Sequence, residues 1–139
     1  MPHIYLAGPL FSLAEQNFNS IVRDYLVRSG YAVFLPQEEC AGKVEAEIYG
    51  TCVGGLTGAG VVVAILDGAD ADSGTCWECG YATAKGIPVI AVRTDFRNSG
   101  DIKGFNAMLY YSASAIVEGA GDVLPRIVQA VQKCYTLQH

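Results

Sequence analysis

The segment from Val61 to Val92, VVVAILDGADADSGTCWECGYATAKGIPVIAV, decides the fold. Val61 to Leu66 is an unbroken apolar run rich in β-branched residues, the composition of a strand covered on both faces in a parallel sheet. Asp67-Gly68-Ala69-Asp70-Ala71-Asp72-Ser73-Gly74-Thr75 follows as a polar loop with three carboxylates at the C-terminal end of that strand. Open α/β sheets bind their ligands there. Trp77 to Lys85 reads as a helix stopped by Gly86 and Pro88, and Val89 to Val92 as the next strand. A strand, a helix and a second strand in so short a span make a crossover between parallel neighbours. Glu78 is then expected in the first turn of a helix that opens onto the ligand crevice.

The same alternation continues on either side. His3 to Ala7 is a strand closed by Gly8-Pro9, and Ser12 with Glu15 forms a capping box for a helix from Leu13 to about Ser29. Phe18, Ile21, Val22, Tyr25 and Leu26 share one face of it, and Gly30 stops it. Tyr31 to Leu35 is a second strand, with Pro36-Gln37-Glu38-Glu39 as a loop on the ligand side. Between residues 44 and 58, Val44, Ile48, Cys52, Val53 and Leu56 have helical spacing. Gly50, Gly54, Gly55 and Gly58 weaken that reading by up to about 1 kcal/mol each relative to alanine. Arg93 to Arg97 lies at the end of the fourth strand, and a polar loop to Gly104 suits a lid or a subunit contact. Phe105 to Tyr111 is read as a short helix, Ala115 to Glu118 as a last strand, and Asp122 to Tyr135 as a final helix carrying Val123, Ile127, Val128 and Val131. Five strands and four or five helices give an α/β fold. The expectation is one domain over residues 1–139, a doubly wound five-stranded parallel sheet of the flavodoxin or Rossmann type.

Composition narrows the partners. The net charge of −5, with nine basic residues scattered along the chain, argues against nucleic acid and anionic membrane surfaces. No apolar run approaches the roughly 20 residues of a membrane span. The N-terminus enters a strand without the pattern of a signal peptide, and the five cysteines are an odd number, so reduced thiols and a cytoplasmic location are expected.

Several loop residues carry chemistry. Glu78 has the character of a carboxylate nucleophile, with Asp72 as a neighbour able to exchange a proton with substrate, the pairing used in double displacement at a sugar carbon. The helix N-terminus is expected to keep Glu78 ionised, and Tyr5 to orient it. Plainer readings compete: a glutamate that merely suits the helix dipole, an ordinary Asp/Gly turn at Asp67, Asp70 and Asp72, and a core tyrosine. Cys76-Trp77-Glu78-Cys79 is formally a C-x-x-C. A zinc set would have to recruit Cys40 or Cys52, with His3 and His139 standing at the chain ends, so the cysteines are read as packing thiols. Neither a Walker-type loop nor a G-x-G-x-x-G fingerprint is present, and the loop carboxylates lack a phosphate cradle for Mg²⁺; no metal or cofactor is expected.

Taken together, Tyr5-Leu6-Ala7-Gly8-Pro9, Leu66-Asp67-Gly68, Asp72-Ser73-Gly74-Thr75 and Glu78-Cys79-Gly80-Tyr81-Ala82 resemble the nucleoside 2-deoxyribosyltransferase family, from Ile4 to about Met108. The resemblance implies retaining transfer of 2-deoxyribose between nucleobases through a glycosyl ester on Glu78. Asp72 would contact and protonate the base, and Tyr5 would position the nucleophile. Phe105-Asn106-Ala107-Met108 resembles the context of an asparagine that completes a neighbouring subunit's site, which implies a homo-oligomer. Gly8, Pro9, Phe11, Gln37, Asp67, Gly68, Gly74 and Met108 are the implied substrate-binding positions. Deoxyribonucleosides and free nucleobases are the implied partners. The chain departs from the family pattern at Cys52, where many members carry an aspartate before the central strand. Two alternatives stand beside transfer: N-glycosidic hydrolysis of nucleosides or nucleoside 5'-monophosphates, and a nucleoside-binding module without catalysis. The acidic residues around Asp72 would repel a phosphate, which favours nucleosides over nucleotides.

Overall fold

The structure is a computed structural model that describes residues 1–98 and 100–138. Ser99, within the stretch read from sequence as a polar loop to Gly104, and His139 lie outside the described residues. In chain order the elements are β1 (Ile4–Ala7), α1 (Leu13–Arg28), β2 (Val33–Phe34), α2 (Pro36–Glu39), α3 (Glu45–Thr57), β3 (Val61–Ile65), α4 (Ser73–Ala84), β4 (Val89–Arg93), α5 (Ala107–Ser112), β5 (Ala115–Glu118) and α6 (Val123–Leu137). The strands pair in parallel in the order β2-β1-β3-β4-β5. This is the flavodoxin order, in which strand addition reverses direction between β1 and β3 and a crevice opens beyond their C-terminal ends.

The two-residue period of the strands sorts their side chains into two layers. Ile4, Leu6, Val61, Val63 and Ile65 pack against Val22 and Leu26 of α1 and Ile127 and Val131 of α6. On the other face, Tyr5, Ala7, Val62 and Ala64 meet Leu56 of α3 and Cys79 and Ala82 of α4. Each buried Ile, Leu or Val contributes roughly 1.5–3 kcal/mol, and this apolar sheet carries the polar loops at its edge. Tyr5, fully buried, is directed by strand alternation into the α3–α4 layer.

Two placements beside the site differ from the sequence reading. Helix α4 begins at Ser73, not Trp77, because Asp72 caps it: its Oδ2 accepts from the Thr75 amide at 2.9 Å and the Thr75 hydroxyl at 3.0 Å. Glu78 therefore stands in the second turn, which corrects the first-turn placement. Pro36–Glu39, read as a loop, is a short helix with proline at its start, where a missing amide proton costs nothing. Helix α3 forms in spite of its glycines, and at Gly55 a side chain is excluded, since a Cβ would lie 2.7 Å from the Phe34 ring.

Candidate active site

Glu78 is a half-buried carboxylate on the cavity side of α4, and the Tyr5 hydroxyl donates a hydrogen bond to its Oε2. The Tyr5 ring is itself fixed by stacking on Phe34, with centroids 5.1 Å apart and planes at 14°. Phe34 in turn fits because residue 55 is glycine. A strand residue, an aromatic neighbour and a helix glycine thus set where one carboxylate oxygen can be.

Burial pushes the Glu78 carboxyl up to about 7; Tyr5's hydrogen bond opposes that shift and the Asp72 charge adds to it. The expectation that the helix N-terminus holds Glu78 in the ordinary carboxylate range is corrected: in the second turn the dipole has faded, and desolvation dominates. Burial and the same Glu78 charge push the Tyr5 phenol far above its usual range. Tyr5 consequently remains a donor at any working pH.

Glu78 lines a cavity of about 600 Å³ off the C-terminal ends of β1 and β2, between α3 and the start of α4. Of the residues singled out from sequence, Asp72, Gly8, Phe11, Gln37 and Gly74 line it too. Asp72 does two jobs, since one oxygen caps α4 while the residue faces the cavity. Gln37 reaches the cavity with its amide already held: Oε1 accepts from Asn19 at 3.0 Å, and Nε2 donates to the Gln16 carbonyl at 3.1 Å and the Ser20 hydroxyl at 3.2 Å. Cys52 lines the wall as well, beside Ile48, Tyr49 and Val53.

Other singled-out residues lie elsewhere. The Asp67 carboxylate accepts from the Thr94 amide at 2.7 Å, the Thr94 hydroxyl and the Asp95 amide at 3.0 Å, tying the ends of β3 and β4 together. Gly68 follows with a φ of 112°, its carbonyl accepting from the buried Arg93 guanidinium at 2.9 Å. The Pro9 carbonyl accepts from Asn19 at 2.9 Å. Asn106 and Met108 border a separate groove between α4 and α5, where the Asn106 side chain caps α5 by accepting from the Met108 amide at 2.9 Å. Met108 is 79% exposed. Among the described residues, no group of three or more His, Cys, Asp or Glu side chains is placed to hold a metal ion. No described helix is long and apolar enough to cross a membrane.

With this geometry in view, the nucleoside 2-deoxyribosyltransferase family model matches residues 4–123. The chain belongs to this family. Solved structures agree with the assignment. A conserved protein from Enterococcus faecalis V583 superposes with a TM-score of 0.75 at 28% identity, covering 93% of this chain and 98% of that one. A 2-deoxyribosyltransferase from Bacillus psychrosaccharolyticus gives 0.74 at 28% identity over 88% of this chain and 90% of that one. The 2-desoxiribosyltransferase from Leishmania mexicana, 21% identical with a TM-score of 0.72 over 93% and 98%, shares the fold. No curated protein sequence matches the chain.

This deoxyribosyltransferase-family domain also uses residues that sequence reasoning passed over. Phe34 read as one more strand aromatic, and Gly55 as one of several weakening glycines. Asn19 stands at helical spacing from Val22 and Leu26, on the buried face of α1, and bridges Pro9 to Gln37. A buried asparagine inside an otherwise regular helix needs partners, but nothing in the spacing says which.

Proposed function

We propose that the domain transfers 2-deoxyribose between nucleobases by a retaining double displacement with Glu78 as the nucleophile. The observation that carries this reading is the Tyr5 hydroxyl held on Oε2 of a half-buried Glu78, in a cavity that Asp72 shares. Tyr5 fixes one oxygen and leaves Oε1 for bond formation. In the first half-reaction Oε1 attacks the anomeric carbon, the carbon–nitrogen bond breaks, and the nitrogen of the departing base takes a proton from Asp72. In the second, a nitrogen of the incoming base attacks the same carbon from the face the first base left, the ester breaks, and the base's proton passes to Asp72. Two inversions return the original configuration.

The substrates are deoxyribonucleosides and free bases, and the reaction needs no cofactor. Asp72 at the cavity wall disfavours a 5'-phosphate. The likeness to the 2-deoxyribosyltransferase from Bacillus psychrosaccharolyticus supports the substrate class. Asn106 acts across a subunit boundary in a homo-oligomer, which its place in a separate groove of its own chain permits. Five free cysteines suit a reducing compartment such as the cytoplasm.

The test is chromatographic. Protein incubated with deoxyinosine plus adenine, and with thymidine plus adenine, is expected to form deoxyadenosine from at least one donor, and Glu78→Ala to form none while remaining folded. Base released equally with and without acceptor identifies a hydrolase instead. Substantial transfer by Glu78→Ala removes Glu78 from the role given to it.

A further inference from the structure

The cavity wall contains a pair of thiols that the transfer reaction does not use. Cys40, the C-cap of α2, and Cys52, in the middle of α3, are 12 residues apart with their Sγ atoms 3.7 Å from one another. Both are half-buried and both border the cavity. The other cysteines are placed differently: Cys76 donates to the Ala71 carbonyl, while Cys79 and Cys134 are buried on opposite faces of the sheet. A disulfide needs its sulfurs about 2.05 Å apart, so closure asks for a movement of under 2 Å. The connector can give it. Ala41 and Gly42 follow Cys40, and Gly42, with a φ of 76°, has open space around it.

We propose that Cys40 and Cys52 are an oxidative modification site that a small disulfide, of the oxidised glutathione class, converts into an intramolecular disulfide. One protein thiolate attacks the oxidant, forming a mixed disulfide and releasing one reduced thiol. The second attacks the protein-side sulfur and releases the other. One S–S bond breaks and one forms, two electrons pass from the protein to the oxidant, and two protons accompany the two small thiols released.

Closure changes the wall next to Glu78. It draws the end of α2 toward α3, narrowing the side of the cavity opposite α4. It also consumes the thiol of Cys52, which packs in the same apolar cluster as Tyr5. Burial and the neighbouring Cys52 push the Cys40 thiol up to about 11, so the exchange is slow at neutral pH and its end point is the quantity to read. The effect on turnover rests on the transferase reading above; the covalent change does not.

The experiment uses the full chain, equilibrated in glutathione buffers of graded oxidation at pH 8, quenched by alkylation, and mapped by peptide mass. The expected product is a single peptide pair linking Cys40 to Cys52. With it, kcat/KM for deoxyribosyl exchange falls about tenfold or more and recovers on adding dithiothreitol. Cys40→Ser and Cys52→Ser, each compared with itself before and after oxidation, show a ratio of one. Both residues alkylated at every buffer ratio, or linked to other cysteines, overturns the proposal. So does an unchanged kcat/KM with the disulfide confirmed. If the chain proves not to transfer deoxyribose, the peptide map still decides the covalent step, and a deoxyinosine binding isotherm of oxidised against reduced protein decides the narrowing: equal affinities overturn it.

Discussion

At Glu78 two demands oppose one another: a nucleophile has to be ionised, and the half-buried position that gives it shape selectivity favours the protonated form. Tyr5 shifts the balance toward ionisation, and its removal is therefore a sensitive probe. In the wild type, kcat/KM for exchange is expected to rise with pH through about 7. In Tyr5→Phe the hydrogen bond to the charged form is gone, and that limb should move up by about 1–2 pH units. An unmoved limb means that another group sets it. The same carboxyl has a stability consequence. Its folded value, about 7, lies above the ordinary 4.5, so the stabilisation it gives is fully present below about pH 4.5 and is lost as the pH rises through 7. Glu78→Gln abolishes this dependence. Urea unfolding should show the variant gaining on the wild type by about 3 kcal/mol between pH 4 and pH 8; a constant difference would show that Glu78 does not titrate in that window. Asp72 separates its roles by substitution. Asp72→Asn keeps a capping oxygen, so stability should stay within about 0.5 kcal/mol while transfer falls by roughly 10²–10⁴. Asp72→Ala should lose the same activity and about 1 kcal/mol of stability besides, and equal stabilities would mean that the cap contributes nothing.

Helix α3 shows how far a sequence can speak for an element. Its apolar spacing was legible, and so was the cost of its glycines, but the glycines are not equivalent. Gly50 meets open space, whereas a side chain at Gly55 would collide with Phe34, on which Tyr5 stacks. Intrinsic propensity applies to the first and packing to the second. Gly50→Ala is expected to stabilise the domain by up to about 1 kcal/mol. Gly55→Ala should destabilise it by about 1–3 kcal/mol and lower transfer through the displaced Tyr5. Thermal unfolding of the two variants side by side checks this, and shifts of the same sign would contradict it. The start of α4 was misplaced for a related reason. The Asp/Ser/Gly/Thr composition from Asp72 to Thr75 is that of a turn and equally that of an N-cap with its first residues, and the hydrogen bond from Thr75 to Asp72 decides between them.

For the whole molecule, the parallel sheet and its ligand edge followed from the alternation of apolar runs with glycine- and proline-marked loops, because crossover geometry leaves few alternatives. The strand order was not derivable from that alternation, and neither was the burial that raises Glu78, since both depend on contacts between segments far apart in sequence. Residues of the site that line up along one strand or one helix start were legible; those that act through tertiary neighbours, such as Asn19, Phe34 and Gly55, were not. Asn106 belongs to a level above the single chain. In its own chain it caps α5 at a groove that does not contain Glu78, so its proposed role requires a second copy. Subunit mixing tests that directly. Asn106→Ser keeps a capping oxygen while removing the amide, and Glu78→Ala keeps the amide while removing the nucleophile. Each variant alone should be inactive. In a mixed dimer one site receives both defects and the other receives none, so random pairing of equal amounts should restore about a quarter of wild-type activity. Recovery that rises with the fraction of mixed oligomers, followed by differently tagged chains, establishes a shared site. Confirmed mixed oligomers without recovered activity, or full activity in an isolated monomer, would confine the whole reaction to one chain.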